Sequence, residues 1–359
     1  MQQAPRGSGT LGGVSPRRPL ESTPAAGSTT PGWGVPGPSG ALAERVGARM
    51  EQVEEALRRA VTHSDRLADS TSRHLVEAGG KRVRPLLVLL AGELGDGAAP
   101  EVVEAAVVVE LTHLATLYHD DVMDSAPLRR GAPAAQQVWG NNVAILTGDL
   151  LFARASRLVA ALGPEAVEIQ AATFERLCLG QLHETVGPDE GEDPVAHYLQ
   201  VLSDKTGSLI ATSALFGAMF GGCAPRVRDV VVEYGERVGV AFQLADDVLD
   251  LLGDDSGKRA GTDLRERVPT LPVLLARDAA AGGDERAAAA VALLDGPLGT
   301  DEELERAVVA LRALPSTDLA RSRAQHCAQQ AVDALAPLPD GEAKQAMAAF
   351  AGAIADRTR

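Results

Sequence analysis

The pattern Asp-Asp-x-x-Asp occurs twice in this chain, each time at the end of a largely apolar stretch. "EVVEAAVVVELTHLATLY" runs into "HDDVMD", which carries Asp120, Asp121 and Asp124. A second stretch ends in "QLADDVLD", with Asp246, Asp247 and Asp250. Residues four apart share a helical face, and like charges at that spacing destabilise a helix unless something neutralises them. Asp120 and Asp124 therefore point together, as do Asp246 and Asp250. The hard cation Mg²⁺ takes carboxylate oxygens, keeps several waters and usually completes its shell with phosphate. A fold that makes the two clusters face each other would hold a small group of Mg²⁺ ions around a diphosphate.

The rest of the chain reads as helix. Hydrophobic residues make up 45% of the 359 positions and aromatics only 3%. The core must then be mostly Ala, Val and Leu, a composition that suggests helices. "LAERVGARMEQVEEALRRAV" places apolar residues at spacings of three and four. One long helix is predicted from about Pro100 to Tyr118 or slightly beyond, and another from about Pro225 to Leu252. The last eighty or so residues read as Ala-rich amphipathic helices, and no alternating strand pattern stands out. Residues 1–40, rich in Gly, Pro, Ser and Thr, are predicted to be a disordered tail before a catalytic domain at 41–359. A net charge of −15 argues against nucleic acid as a partner. Cys178, Cys223 and Cys327 have no metal-like spacing and read as reduced thiols. No apolar run reaches the roughly twenty residues of a membrane span, and the N-terminus shows no signal pattern. A cytoplasmic protein without a transmembrane segment is expected.

A diphosphate also needs cations. "GGKRVRP" supplies Lys81, Arg82 and Arg84, with Pro85 suited to an early helical position. "PLRRG" supplies Arg129 and Arg130, "SDKTGS" supplies Lys205 and Thr206, and "GKRAGTD" supplies Lys258. Arginine suits bidentate phosphate contact, and lysine acts as a point charge. His113, seven residues before Asp120, shares its helical face and is expected to touch ligand, whereas His119 and His183 read as structural. Gln243, three residues before Asp246, can turn its carbonyl dipole toward a developing cation.

In this order, "GGKRVRP", "HDDVMDSAPLRRG", "GDLLFA", "DKTGSLI", "FQLADDVLDLLGD" and "GKRAGTDL" make the chain resemble the trans-polyprenyl diphosphate synthases, the head-to-tail prenyltransferases. The resemblance covers nearly everything from about Ala41 onward. It implies an all-α, single-domain helical bundle around a deep central cavity, usually a homodimer. It implies Mg²⁺ held by Asp120, Asp124 and Asp246, with Asp121, Asp247 and Asp250 behind them or acting through water. Lys81, Arg84, His113 and Arg130 would hold isopentenyl diphosphate. Arg129, Lys205 and Lys258 would hold the allylic diphosphate, and Lys205, Thr206 and Gln243 would serve the chemistry, the last two flanking the forming cation. Diphosphate leaves the allylic substrate, the double bond of isopentenyl diphosphate attacks the cation, and a proton is lost. Such a reaction asks for positioning and electrostatics rather than a protein nucleophile. One departure stands out. The family often has Gly-Lys shortly after "GTDL", where this chain has Arg267 and Val268. Either Arg267 substitutes for the lysine or that contact is dispensable.

In the family, residues just before the first acidic cluster set product length. Here these are Ala115 and Thr116, followed one turn down by Thr112 and then by Val109 and Val108. A helix turn advances about 5.4 Å, comparable to an extended prenyl unit. Several turns without an aromatic point to a long-chain synthase of the kind that makes a respiratory-quinone side chain. Three alternatives remain. They are a geranylgeranyl diphosphate synthase, a non-catalytic subunit of a heteromeric synthase, and a terpene cyclase, which would need no "GGKRVRP".

Overall fold

Helical periodicity is realised along most of the described residues. The computed structural model describes residues 40–253 and 260–356, so the expected tail and Lys258 lie outside the described residues. Helices α1 (Gly40–Ala60), α2 (Arg66–Glu77), α3 (Val83–Gly92) and α4 (Pro100–Met123) come first. Next come α5 (Ala135–Trp139), α6 (Asn141–Ala161), α7 (Pro164–Val186), α8 (Pro194–Leu202), a π-helical turn (Ser203–Gly207) and α9 (Ser208–Phe220). They continue as α10 (Pro225–Leu252), α11 (Thr262–Arg265), α12 (Leu271–Ala281), α13 (Glu285–Asp295), α14 (Asp301–Arg312), α15 (Pro315–Ala334) and α16 (Glu342–Asp356).

Between α4 and α5 sits a ribbon of two-residue strands, β1 (Leu128–Arg129) and β2 (Ala132–Pro133), in antiparallel register. No alternating pattern announces it, because the turn makes the ribbon. Arg130 and Gly131 take φ of 54° and 78°, the positive values that a tight hairpin turn favours.

Two long helices carry the acidic clusters. α4 starts with Pro100, whose missing N–H costs nothing in a first turn. It runs past Tyr118, with Asp120 and Asp121 still helical and Asp124 as its C-cap. Val102, Ala105, Val108, Leu111 and Leu114 on its several faces are all fully buried, with α1, α3, α6 and α9 packed around it. By length and composition α4 could cross a membrane, contrary to the expectation that no run was long enough. Buried inside the protein over 72% of that stretch, it is a core helix. α10 starts at Pro225 and packs on α9, α15 and α16. Small residues let the helices close up: a Cβ on Gly217 of α9 would lie 2.1 Å from the carbonyl oxygen of Val88 on α3. Burying each Val or Leu contributes about 1.5–3 kcal/mol, so a core with few aromatics suffices when it is this long. A smaller core, with Leu264, Val273, Leu294, Leu304 and Leu311, joins α11 to α14 beside the end of α10.

Candidate active site

The helix ends meet around a cavity of about 950 Å³. Its wall brings together Lys81, Arg84, His113, Thr116, Asp120, Arg129, Arg130, Lys205, Thr206, Gln243 and Asp246. These are most of the residues singled out from the sequence, drawn from segments up to 165 positions apart.

The cationic part depends on one glycine. Gly80 has φ 139°, and a Cβ there would lie 2.6 Å from Cζ of Arg130. Its absence lets the Arg130 guanidinium rest on the backbone, where it donates to the carbonyls of Leu75 (3.0 Å) and Gly79. Arg82 turns inward instead and donates to Glu54 at 2.6 Å and Glu110 at 2.9 Å. Arg84 is left differently. Its Nε is buried and has no hydrogen-bond partner, and burial lowers its pKa to about 10 despite the pull of Glu110. Burial, reinforced by Arg84, Arg130, Arg129 and Arg82, holds His113 well below its ordinary pKa, so the ring is neutral. A buried guanidinium with an unpartnered donor is costly, and an anion in the cavity relieves that cost.

The acidic part is under-neutralised. Burial, with Asp124 and Glu184 nearby, raises Asp120 to about 6 against the opposing pull of Lys205 and Arg129. Partial burial and Glu184 likewise raise Asp124, against the pull of Lys205. Asp121 is fully buried and accepts from Nε of Arg129 at 2.6 Å, so Arg129 reaches the cavity already paired. In the second cluster Asp246 lines the cavity, while Asp247 turns into the protein. Burial puts Asp247 at about 6, and it accepts from Tyr198 and from Nε2 of Gln243 at 2.9 Å. Asp250 accepts the backbone N–H groups of Thr262 (3.2 Å) and Asp263 (3.0 Å), fixing α11 against α10.

That docking adds acids the sequence reading left unassigned. Asp263 is raised to about 8 by burial and by Asp250, Asp247 and Glu266. Glu266 is raised by burial and by Asp124 and Asp250. Only the place of Asp263 in "GTDL" could have flagged it. Among the described residues, no three His, Cys, Asp or Glu side chains converge tightly enough to enclose a metal alone. An oxygen-only donor set with excess negative charge and incomplete coordination suits Mg²⁺, which retains waters and phosphate oxygens.

Lys205 and Thr206 are presented by the π-helical turn. Lys205 forms an ion pair with Glu184 of α7. Thr206 Oγ1 donates to Oε1 of Gln243 at 3.4 Å. Because the Gln243 amide N–H is committed to Asp247, its carbonyl faces Thr206.

One expectation changes here, and one open alternative narrows. Thr116 lines the cavity, but Ala115 is fully buried and does not. The Ala115 carbonyl lies toward α6, 3.1 Å from where a Cβ on Gly148 would sit. Aromatic bulk enters from helices that the α4 sequence could not reveal: Phe152 and Phe174 line the cavity with ring centroids 4.3 Å apart. Arg267 does not reach the cavity. It donates to the carbonyls of Leu294 (2.5 Å) and Gly296 (2.6 Å), closing the end of α13. Its φ of 65° is a value that favours glycine, and the resembling family often has glycine at this place.

The fold and this cavity define an isoprenoid-condensing enzyme. The polyprenyl synthetase family model matches residues 65–308, and the chain belongs to that family and is a prenyltransferase. It is 46% identical over 314 residues to the nonaprenyl diphosphate synthase of Mycobacterium tuberculosis, covering 86% of this chain and 92% of that protein. It is 37% identical to heptaprenyl diphosphate synthase component 2 of Geobacillus stearothermophilus, covering 81% and 90%. Among solved structures, geranylgeranyl pyrophosphate synthase from Corynebacterium glutamicum, complexed with calcium and isoprenyl diphosphate, superposes with a TM-score of 0.80. The identity is 40%, with 90% of this chain and 99% of that one covered. A decaprenyl diphosphate synthase from Rhodobacter capsulatus gives 0.79 at 33% identity, covering 89% and 98%.

Proposed function

We propose that this protein condenses isopentenyl diphosphate repeatedly onto an allylic diphosphate primer and releases a long-chain all-trans polyprenyl diphosphate destined for a quinone side chain. The observation that carries the reading is the pairing, in one cavity, of a buried guanidinium with an unpartnered donor at Arg84 and under-neutralised carboxylates led by Asp120. The first calls for an anion and the second for a cation. Lys81, Arg84, Arg130 and neutral His113 hold isopentenyl diphosphate. Arg129, Lys205 and Lys258 hold the allylic diphosphate, for which Lys205 exchanges Glu184 for phosphate oxygens. Asp120, Asp124 and Asp246 would hold Mg²⁺, which when bound neutralises the departing diphosphate. Thr206 Oγ1 and the Gln243 carbonyl face the allylic carbon as positive charge develops, and Asp247 keeps that carbonyl pointing inward. Phe152, Phe174 and Leu177 exclude water from the cation.

The length of the product rests on Thr116, the one of the small α4 residues that lines the cavity, and on the similarity to nonaprenyl and decaprenyl synthases. A geranylgeranyl synthase is the competing reading, favoured by the Corynebacterium structure and by Phe152 and Phe174 in the cavity. The exposed faces of α6 and α7, with Leu146 65% and Val186 78% accessible, form the apolar surface that a second copy would cover in a homodimer. The catalytic domain spans 41–359, and the cytoplasm is its proposed location. Diphosphate release from primer and isopentenyl diphosphate, followed with and without Mg²⁺, tests the reading. It should vanish in Asp120→Asn and Asp246→Asn; near-normal turnover in either variant at saturating Mg²⁺ would remove the basis of the proposed metal site.

A further inference from the structure

The π-helical turn that presents Lys205 and Thr206 is a rare conformation, in which Ser208 N–H reaches back to the carbonyl of Ser203. Such irregular turns persist only where their surroundings over-determine them. Two neighbours do so here by shape. A Cβ on Gly180 of α7 would lie 2.7 Å from the backbone nitrogen of Lys205, and one on Gly239 of α10 would lie 2.5 Å from Cα of Gly207. The turn is thus gripped between α7 and α10, each of which carries a glycine at the point of closest approach.

One side chain ties the grip together. Arg176 of α7 donates from Nε to Asp204 Oδ1 at 2.9 Å and from Nη2 to Ser203 Oγ at 3.1 Å. The same guanidinium donates to Oε1 and Oε2 of Glu236 on α10, at 2.5 and 3.3 Å. Glu236 Oε2 also accepts from Ser203 Oγ at 3.2 Å, and Gln200 holds the other oxygen of Asp204 at 2.8 Å. Both residues immediately before Lys205 are therefore pinned by a planar fork that spans α7 and α10. Arg176 itself does not line the cavity.

We infer that Arg176 is a positioning residue for the allylic half of the reaction: it fixes the π-helical turn so that Lys205 Nζ and Thr206 Oγ1 meet the allylic diphosphate and the carbon it leaves. This rests on the proposed role of Lys205. The inference separates the two substrates, because the isopentenyl groups Arg84, His113 and Arg130 stand on α3, α4 and the ribbon turn, away from this network.

The test compares Arg176→Ala, Arg176→Lys, Glu236→Gln and Lys205→Ala in the full chain by steady-state kinetics in each substrate and by thermal melting. Misplacing a binding group by about 1 Å can cost about a hundredfold. Arg176→Ala should lower kcat/KM for the allylic primer about ten- to hundredfold and leave KM for isopentenyl diphosphate within about twofold. Arg176→Lys keeps the charge without the fork and should recover part of the loss. If Arg176→Ala fails to fold, Arg176→Lys and Glu236→Gln carry the same substrate-selective prediction at smaller size. Equal losses for both substrates, or allylic kinetics unchanged while Lys205→Ala is crippled, overturn the inference. Unchanged allylic kinetics in Lys205→Ala itself would instead overturn the proposed role of Lys205.

Discussion

Replacing Arg84 with methionine should weaken substrate use and not the fold. The guanidinium is held at a pKa of about 10 against an ordinary 12.5, with burial as the main cause. At about 1.36 kcal/mol per unit, the charged side chain costs the substrate-free protein about 3 kcal/mol at most. Methionine fills similar space without a charge, and exchanging poorly compensated buried ions for apolar groups is often neutral or stabilising. Isopentenyl diphosphate loses a charge-assisted contact worth about 1.5–3 kcal/mol, or roughly ten- to hundredfold in KM. Urea denaturation measures the first quantity. Initial rates at varied isopentenyl diphosphate and fixed primer measure the second. The expected result is an unchanged or raised unfolding midpoint, KM for isopentenyl diphosphate up at least about tenfold, and KM for the primer unchanged. A clear loss of stability with KM for isopentenyl diphosphate unaltered would show that Arg84 is a structural residue, and the anion site would have to be sought elsewhere.

The carboxyls of Asp120, Asp247 and Asp263 titrate at about 6, 6 and 8 when folded, against an ordinary 3.8. Between about pH 4 and 8 these carboxyls hold more protons in the folded chain than in the unfolded one; His113, lowered from 6.5, opposes them as one group against three, so metal-free stability should fall as pH rises through that window. Mg²⁺ with inorganic diphosphate should restore more stability at pH 8 than at pH 5.5, and a flat metal-free profile by calorimetry would refute the assignment. Thr116→Phe should shorten the product while isopentenyl diphosphate is still consumed, as seen by chromatography, because overfilling a packed wall costs about 1–3 kcal/mol; an unchanged product would mean that the growing chain does not pass Thr116. Arg267→Ala should lose about 0.5–2 kcal/mol of stability with its contacts to the end of α13 and leave both KM values unchanged; a raised KM for the primer would mean that Arg267 serves the substrate after all. A chain starting at Ala41 should match the full chain in turnover, and a folded truncation with little activity would assign the first forty residues a catalytic part.

The acidic clusters and the basic motifs were legible because their chemistry is local. Asp120 and Asp246 are marked by charge in apolar surroundings, and the helices that carry them by Pro100, Pro225 and unbroken apolar spacing. What the sequence could not convey was orientation. Ala115 and Thr116 are adjacent, yet only Thr116 meets the cavity, since neighbouring helical positions lie about 100° apart. Phe152 of α6, Phe174 and Glu184 of α7, and Glu266 after α11 all come from outside α4, so no window of sequence places them beside Asp120 or Asp124. Arg267 stayed open between phosphate ligand and dispensable residue because its motif position was readable while its partners, two carbonyls at the end of α13, lay twenty-seven and twenty-nine residues away. The two-residue ribbon was missed for another reason: its information is the backbone demand at Arg130 and Gly131, not a side-chain pattern.

The most direct test is the product made by the purified chain alone. It would be incubated with labelled isopentenyl diphosphate, farnesyl diphosphate and Mg²⁺, and the dephosphorylated lipid sized by chromatography. The expected result is metal-dependent incorporation of several isopentenyl units, giving a product longer than geranylgeranyl. No incorporation without a second subunit, or a product that stops at geranylgeranyl, would contradict it.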